Sequence, residues 1–216
     1  KRMTEFHKRP DPVVRLIDDD RTVLDALGTY LNIAGFTTVA YDSAVRFLEE
    51  DDFNVPGCAV LDVRMPGMTG IELQREMIRR KIDLPVIFLS AHGDIAMAVE
   101  AVKAGAKTFL VKPPKLDELT AVISEAIHEN AERRAKERDL QALRKRFESL
   151  TPSEACVAGM IVKGLTNAVI GETLGMAERT VKAHRAAVFE KLDVTNAVEL
   201  ADFMHEMDMY QRELEA

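Results

Sequence analysis

Five short apolar segments, separated by stretches with helical spacing, recur in the first half of the chain. The segments are Val13–Ile17, Thr37–Tyr41, Cys58–Leu61, Pro85–Leu89 and Lys107–Val111. The stretches with apolar residues at helical spacing are Thr22–Ala34, Ala44–Glu50, Ile71–Arg80 and Ile95–Ala104. Strands that alternate with helices over so short a length form a parallel sheet covered by helices on both faces. The sequence therefore predicts a five-stranded, doubly wound α/β domain.

The composition excludes several classes of protein. The chain has 216 residues, of which 47% are hydrophobic and 30% charged, and its formal net charge is −7. These proportions are typical of globular proteins and exclude disordered, collagen-like and disulfide-rich chains. No apolar run approaches the roughly 18 residues of a membrane helix, and the charged start KRMTEFHKRPDP leads into no signal-like core. Since only Cys58 and Cys156 occur, we expect a cytoplasmic protein with reduced thiols and no membrane partner.

A basic segment in the middle of the chain is predicted to be a helical linker. Residues 131–150 carry seven basic and four acidic residues, a net charge of +3, and contain no Gly or Pro. Helix formers run almost unbroken from Leu116 to Ser149, so we expect one long helix there. Pro152 disfavours helix at the residue before it, so the junction with the next domain is expected there. A short apolar stripe available to a partner helix is formed by Leu140, Leu143, Phe147 and Leu150.

The last part of the chain contains no strand-like segment. It is predicted to form four short helices, with breaks near Gly164, Gly175 and Asp193. The expected organisation is therefore an α/β domain over residues 12–130, a helical linker over 131–149 and an all-α domain over 150–208.

Polar side chains follow the predicted strands at their carboxyl ends, where ligands bind in open parallel sheets. Strand one is followed by three aspartates, Asp18, Asp19 and Asp20, and strand three by Asp62. Ser90 follows strand four and Lys112 follows strand five. Carboxylates brought this close together need a cation or raised pKa values, and oxygen ligands in this number suit Mg²⁺. The pattern indicates a phosphoryl-transfer site with a carboxylate nucleophile at Asp62.

Two alternatives compete with this interpretation. Each aspartate alone is explained by capping of a turn at a strand end. A nucleotide binder on the same fold is the functional competitor, but its phosphates would meet Asp18 to Asp20 instead of a Gly-, Ser- or Thr-rich cradle.

The motifs LIDDD, LDVRMPGMTG, FLSAHG and FLVKPP, in this order, resemble the receiver domain of two-component response regulators. The resemblance covers about residues 12–130 and implies a flavodoxin-like sheet. It implies that Asp62 is the phospho-acceptor, that Asp19 is the principal Mg²⁺ carboxylate, and that Asp18 binds the metal directly or through water. The Arg64 carbonyl would be a further metal ligand, and Lys112 would bind a phosphoryl oxygen.

The same resemblance implies a switch at the receiver. Ser90 and Phe109 match the family's hydroxyl and aromatic switch pair, and the Lys112–Pro113 bond is expected to be cis. The neighbouring loop and helix, from Ala91 to Ala104, would have two arrangements. Pro114 departs from the family, in which an aromatic residue is common at this position.

In the last domain, a short helix over Asn167–Leu174, a turn at Gly175 and a second helix over Glu178–Leu192 form a helix-turn-helix pattern. The stretches LTPSE, GLTNAVIGETLG and RTVKAHRAAVFEKL resemble the LuxR-type helix-turn-helix, which is paired with a receiver in the NarL/FixJ class. The resemblance places Lys182, Ala183 and Ala186 towards the major groove. It places Arg179, Thr180 and Arg185 at phosphates or base edges.

The predicted function is that of a transcription regulator and not of an enzyme. A sensor histidine kinase is expected to supply the phosphoryl group, with Mg²⁺ as cofactor. The other expected partners are double-stranded promoter DNA, a second copy in a phosphorylation-dependent homodimer, and RNA polymerase. The dimer contact is expected over roughly Asp94 to Glu129. The rival function is a phosphorelay in which the helical domain binds protein.

Overall fold

The computed structural model describes residues 11–91 and 100–215. Five strands form one sheet in the order β2-β1-β3-β4-β5, and every neighbouring pair is parallel. They are β1 (Val13–Ile17), β2 (Thr37–Tyr41), β3 (Gly57–Asp62), β4 (Val86–Ser90) and β5 (Thr108–Val111). The predicted five-stranded parallel sheet is confirmed, and no strand end differs from its predicted position by more than one residue.

Eight helices can be bounded in the described residues. They are α1 (Arg21–Ile33), α2 (Ala44–Glu50), α3 (Gly70–Arg79), α4 (Leu116–Glu148), α5 (Pro152–Val162), α6 (Asn167–Leu174), α7 (Glu178–Leu192) and α8 (Ala197–Glu215). The predicted helix Ile95–Ala104 lies partly outside the described residues, within which residues 100–103 are helical. The predicted long helix is present as α4. Among the described residues, none of the helices is both long and apolar enough to cross a bilayer.

Alternation along the strands builds a core on each face of the sheet. Val14 and Leu16 of β1 point to one face, where they pack with Leu27 of α1 and Ile123 of α4. The core on the opposite face of the sheet contains Ile17, Phe47 of α2, Leu73 and Met77 of α3, and Phe88 of β4. Burial on both faces explains why β3 is an uninterrupted apolar run up to Asp62.

The chain divides into two compact units, and the division falls between Glu132 and Arg133, inside α4. Residues from the predicted linker thus pack within the second unit. Leu143 is buried in the same core as Leu200 and Phe203 of α8, and Phe147 packs against that core. The apolar stripe of the linker therefore has a partner in the last helix of its own unit.

Polar contacts accompany this packing. Lys136 Nζ lies 2.7 Å from Glu213 Oε2, and Arg144 Nη2 donates to Gln211 Oε1 at 3.0 Å. The Arg146 guanidinium stacks 5.0 Å from the centroid of the Phe203 ring. These pairs run from low to high numbers on α4 and from high to low on α8, so the two segments are antiparallel.

Candidate functional site

Residues at the carboxyl ends of β1, β3, β4 and β5 line one pocket of about 270 Å³. Its lining consists of Asp18, Asp19, Asp20, Val23, Asp62, Arg64, Ser90, Ala91 and Lys112. The structure thus brings together the acidic, hydroxyl and lysine side chains that the sequence placed at strand ends. The order of the strands explains this, because β1 and β3 are neighbours and β4 and β5 follow on the same side.

Three carboxylates form the acidic part of the pocket. Oxygen atoms of Asp18, Asp19 and Asp62 lie within 4.8 Å of one another. Asp18 and Asp62 are buried, with 4% and 7% of their surface exposed, while Asp19 faces solvent. Burial raises the pKa of the Asp18 carboxyl, although hydrogen bonds from Lys112 and the Asp20 amide oppose the shift. The cluster offers only oxygen ligands, which are the donors that Mg²⁺ prefers.

Lys112 is the cation that pairs with the two buried carboxylates of the pocket. Its Nζ lies 2.5 Å from Asp18 Oδ2 and 2.6 Å from Asp62 Oδ1. Burial of the ammonium group disfavours its charge, but the hydrogen bonds and charges of Asp18 and Asp62 outweigh burial and raise the pKa of Lys112. The Lys112 amide donates to the Ser90 carbonyl at 2.7 Å, and the Lys112–Pro113 bond is cis, as the resemblance implied.

Local hydrogen bonds hold the loops that carry these side chains. The Asp20 carboxylate caps α1 by accepting from Thr22 N at 2.8 Å, and Asp20 N donates to Asp18 Oδ1 at 3.0 Å. After β3, Arg64 N donates to Asp62 Oδ2 at 2.7 Å. Asp20 therefore positions the acidic loop and lies outside the group of three clustered carboxylates.

The two expected switch residues have different surroundings. Ser90 is buried at the end of β4, with 6% of its surface exposed, and lines the pocket. Phe109 is half-buried against the core that contains Phe88, its register partner on β4. Of the loop and helix from Ala91 to Ala104, which the switch is expected to rearrange, residues 92–99 lie outside the described residues.

The second unit contains the helix-turn-helix pattern as predicted. Thr166 caps α6, Gly175 ends it in the left-handed conformation at φ 65°, and α7 begins at Glu178. The turn packs closely, because a Cβ on Gly171 would lie 2.7 Å from the Met176 carbonyl oxygen. Val181, Val188 and Leu192 bury one face of α7 in the core.

The other face of α7 is open to solvent. The exposed residues among the predicted DNA contacts are Arg179, Thr180, Lys182, Ala183 and Ala186. Arg185 is half-buried, with its guanidinium 5.2 Å from the centroid of the Phe189 ring and Nη1 3.5 Å from Asn167 Oδ1. A basic, small-residue surface at the start of α7 is the arrangement that a recognition helix presents to DNA.

Comparison with known proteins assigns each of the two units to a protein family. Residues 14–124 match the model of the response regulator receiver domain, and residues 148–204 match that of bacterial regulatory proteins of the luxR family. The chain belongs to the response regulators of the NarL/FixJ class. This response regulator is thus a transcriptional regulator of a two-component system, as its sequence predicted.

Relatives resemble the response regulator along most of its length. It is 36% identical over 188 residues to response regulator protein TodT of Pseudomonas putida, a match that covers 87% of this chain and 83% of TodT. It is 37% identical over 187 residues to transcriptional regulatory protein FixJ of Bradyrhizobium diazoefficiens, covering 87% and 91% of the two chains. The low-resolution structure of response regulator StyR aligns with a TM-score of 0.86 at 41% identity, over 91% of this chain and 99% of StyR.

One positioning residue of the response regulator was not singled out from its sequence. A Cβ on Gly70, the first residue of α3, would lie 2.2 Å from the carbonyl oxygen of Asp62, so only glycine fits there. Thr69 and Glu72 lock the start of α3 in a capping box, with Thr69 N donating to Glu72 at 2.9 Å. The sequence signal for it is the run Thr-Gly-Ile-Glu at residues 69–72, seven residues after the last residue of β3.

Proposed function

We propose that Asp62 accepts a phosphoryl group from a sensor histidine kinase and that this modification controls promoter binding by the second unit. The observation that carries the proposal is the pairing of Lys112 with both Asp18 and Asp62 inside the acidic pocket. A buried carboxylate beside an ammonium group and two further carboxylates is suited to nucleophilic attack on a phosphoryl group.

The acidic pocket fits a Mg²⁺ ion. Its carboxylates supply three oxygen ligands within 4.8 Å of one another, and two of them are buried. Asp18, Asp19 and Asp62, with the carbonyl of Arg64, would hold the ion. When bound, Mg²⁺ would neutralise the negative charge that develops on the phosphoryl oxygens.

The chain's own groups account for the rest of the transfer. An oxygen of the Asp62 carboxylate attacks phosphorus, the new P–O bond forms, and the P–N bond of the kinase phosphohistidine breaks with its electron pair leaving on the imidazole. The Arg64 amide, which donates to Asp62 Oδ2, orients the carboxylate. Lys112 exchanges its partner Asp62 for a phosphoryl oxygen and keeps the new charge paired.

Phosphorylation would act on the receiver through Ser90 and Phe109. A phosphoryl group adds about −1.5 to −2 charges at the end of β3. Ser90 donates its hydroxyl to a phosphoryl oxygen, and Phe109 rotates behind it. Shifting a population from 1:99 to 99:1 needs about 5.5 kcal/mol of differential interaction. A few charge-assisted hydrogen bonds of roughly 1.5–3 kcal/mol each are of that size.

The output of the switch is DNA binding through α7. Lys182, Ala183 and Ala186 face the major groove, and Arg179, Thr180 and Arg185 lie at phosphates or base edges. The first half of α7 offers only Arg179, Lys182 and Arg185 as cations for DNA. A phosphorylation-dependent homodimer joins two such helices, which raises avidity by about 10²–10⁴-fold. The dimer contact lies between Asp94, outside the described residues, and Glu129. RNA polymerase is the partner at the promoter, and the protein acts in the cytoplasm.

Labelling with acetyl phosphate tests the proposal on the intact chain. We expect one phosphoryl group per chain by intact mass when Mg²⁺ is present and none in excess chelator. Sedimentation of the labelled chain should show a dimer, and selection from random duplex DNA should enrich one inverted repeat. Labelling that is equal in chelator would contradict the metal assignment. Labelling without any selected DNA would favour a phosphorelay with a protein-binding output.

Replacing Lys182 by Ala should weaken DNA binding and reduce its dependence on salt. Lys182 is exposed near the start of α7, and its Nζ lies 3.1 Å from Glu178 Oε1. Surface ion pairs of this kind are weak, so DNA can replace Glu178 as the partner of Lys182. Each cationic contact that is lost from the DNA interface reduces the magnitude of the negative slope of log affinity against log salt by about 0.9. Fluorescence anisotropy on the selected duplex at several salt concentrations measures the slope.

Arg212→Ala is the control for Lys182→Ala, since it removes one positive charge from α8, where Arg212 pairs with Asp208 at 2.7 Å. This control should keep the slope of the parent chain. Both variants should accept phosphate from acetyl phosphate as the parent does. An unchanged slope in Lys182→Ala would remove this residue from the DNA surface.

A further inference from the structure

Gln74 is a buried polar side chain on the apolar face of α3. It lies between Leu73 and Met77, which belong to the core, and only 2% of its surface is exposed. Its Nε2 donates to the carbonyl of Ala101 at 3.4 Å and to that of Ala104 at 3.2 Å. The orientation of the amide is determined, because two carbonyl oxygens can only accept and must face the NH₂ group.

The two carbonyls belong to the end of the helical segment 100–103. Gly105 follows in the left-handed region at φ 91°, and Ala106 N donates back to Ala101 O at 3.0 Å. Carbonyls at a helix end have no partner within their own helix and accept from donors outside it, as Ala101 O does from Ala106 N. Gln74 supplies such a donor from a different helix, so the end of segment 100–103 is fixed on α3.

Stability alone does not account for an amide at this position. Gln74 Oε1 is buried and has no hydrogen-bond partner among the described residues. A buried acceptor without a donor is unfavourable, whereas an apolar side chain of similar volume would fill the space without that cost. The amide is therefore explained by what its NH₂ group holds.

Helix α3 is also fixed against the end of β3, which carries Asp62. Gly70 N donates to Val63 O at 3.0 Å, and the close approach of Gly70 to the Asp62 carbonyl leaves no room for a side chain. Gln74 lies one helical turn further along α3. Through this helix, the backbone of the phosphorylation site and the end of segment 100–103 are held in one fixed relation.

We propose that Gln74 is a positioning residue that stabilises the position of segment 100–103 in the unphosphorylated chain. Gln74 thereby determines how much phosphorylation changes the active population of the receiver. The inference rests on the proposed function, in which phosphorylation of Asp62 rearranges the region between Ala91 and Ala104. Two hydrogen bonds to Ala101 and Ala104 favour the resting arrangement. The phosphoryl group must overcome them, so their removal increases the active population in the absence of phosphate.

The test replaces Gln74 by Met, which keeps the length of the side chain and removes both donors. Amide hydrogen exchange at residues 104–106 of the unphosphorylated chain should become roughly five- to 150-fold faster, the range that the loss of two neutral hydrogen bonds gives. The ratio of DNA affinities with and without acetyl phosphate should fall by about the same factor. The fall should come from tighter binding by the unphosphorylated chain.

Arg75→Gln is the matched control. Arg75 joins the same two elements through an exposed ion pair, with Nη2 2.6 Å from Glu100 Oε1, and exposed pairs contribute little. Its exchange rates and its affinity ratio should equal those of the parent.

The outcomes separate this inference from the function on which it rests. Unchanged exchange in Gln74→Met would overturn the inference, and so would faster exchange with an unchanged affinity ratio, which is the result of a purely structural role. If acetyl phosphate leaves the DNA affinity of the parent chain unaltered, the proposed function is wrong. The exchange rates still decide in that case whether Gln74 holds the segment.

Discussion

Replacement of Asp62 by Asn is expected to abolish labelling of the chain by acetyl phosphate. The amide has the size of the carboxylate but neither its charge nor its nucleophilicity, so no acyl phosphate can form. Asp62 is 7% exposed at the end of β3, and Arg64 N and Lys112 Nζ both lie within hydrogen-bonding distance of its oxygens. An asparagine oxygen can accept from either donor, so the fold should survive. Intact mass spectrometry after incubation with Mg²⁺ and acetyl phosphate measures the loss.

Asp20→Asn is the matched control for Asp62→Asn. It makes the same chemical change in the same pocket, at a carboxylate whose structural task is to cap α1. Asparagine is as good an N-cap as aspartate, so both stability and labelling should be retained. If Asp62→Asn still took up label at the parental level, another residue would be the acceptor, and peptide mapping would identify it.

The sheet and the pocket could be predicted from the sequence because both follow from order along the chain. Alternation of strands and helices fixes a parallel sheet, and a parallel sheet brings the carboxyl ends of its strands to one edge. No further information is needed to predict that one pocket contains Asp18, Asp62, Ser90 and Lys112.

Contacts between distant residues could not be predicted in this way. Leu143 belongs to an apolar stripe, and the periodicity of that stripe predicts a buried face but not what covers it. In the structure Leu143 is buried in the core that contains Phe203. The division between the two units inside α4 follows from that contact. Gln74 is a polar residue in an apolar pattern, and only the position of Ala104 in the fold explains it.

Arg15 is the strongest example of a residue whose role depends on distant partners. It interrupts the apolar run of β1, yet its side chain is 1% exposed. Its Nε donates to both oxygens of Asp51 at 3.1 and 3.0 Å, and the Tyr41 hydroxyl donates to Asp51 Oδ1 at 2.7 Å. Burial, and then the hydrogen bond to Asp51, raise the pKa of Tyr41. The remaining guanidinium donors reach four backbone carbonyls, those of Val13, Asp52, Val55 and Pro56.

Replacement of Asp51 by Ala is therefore expected to destabilise the receiver by about 3–5 kcal/mol, because it leaves the buried Arg15 cation without its counter-charge. The Tyr41 hydroxyl loses its acceptor in the same variant. Native-state hydrogen exchange of the β1 and β3 amides gives the free energy of opening of this unit within the full chain. Asp51→Asn should lie between the parent and Asp51→Ala, since the asparagine oxygen retains one acceptor but no charge.

Glu50→Ala, next to Asp51 in the sequence, is the control that isolates burial as the cause. Glu50 pairs with Arg46 at 2.8 Å, a shorter distance than that between Arg15 and Asp51, but both side chains of the Arg46 pair are 48% exposed. Water and salt screen that pair, so its loss should leave the free energy of opening close to that of the parent. Equal effects of Glu50→Ala and Asp51→Ala would mean that Arg15 regains hydration when Asp51 is removed, and that the α2–β3 loop is held by its apolar contacts instead.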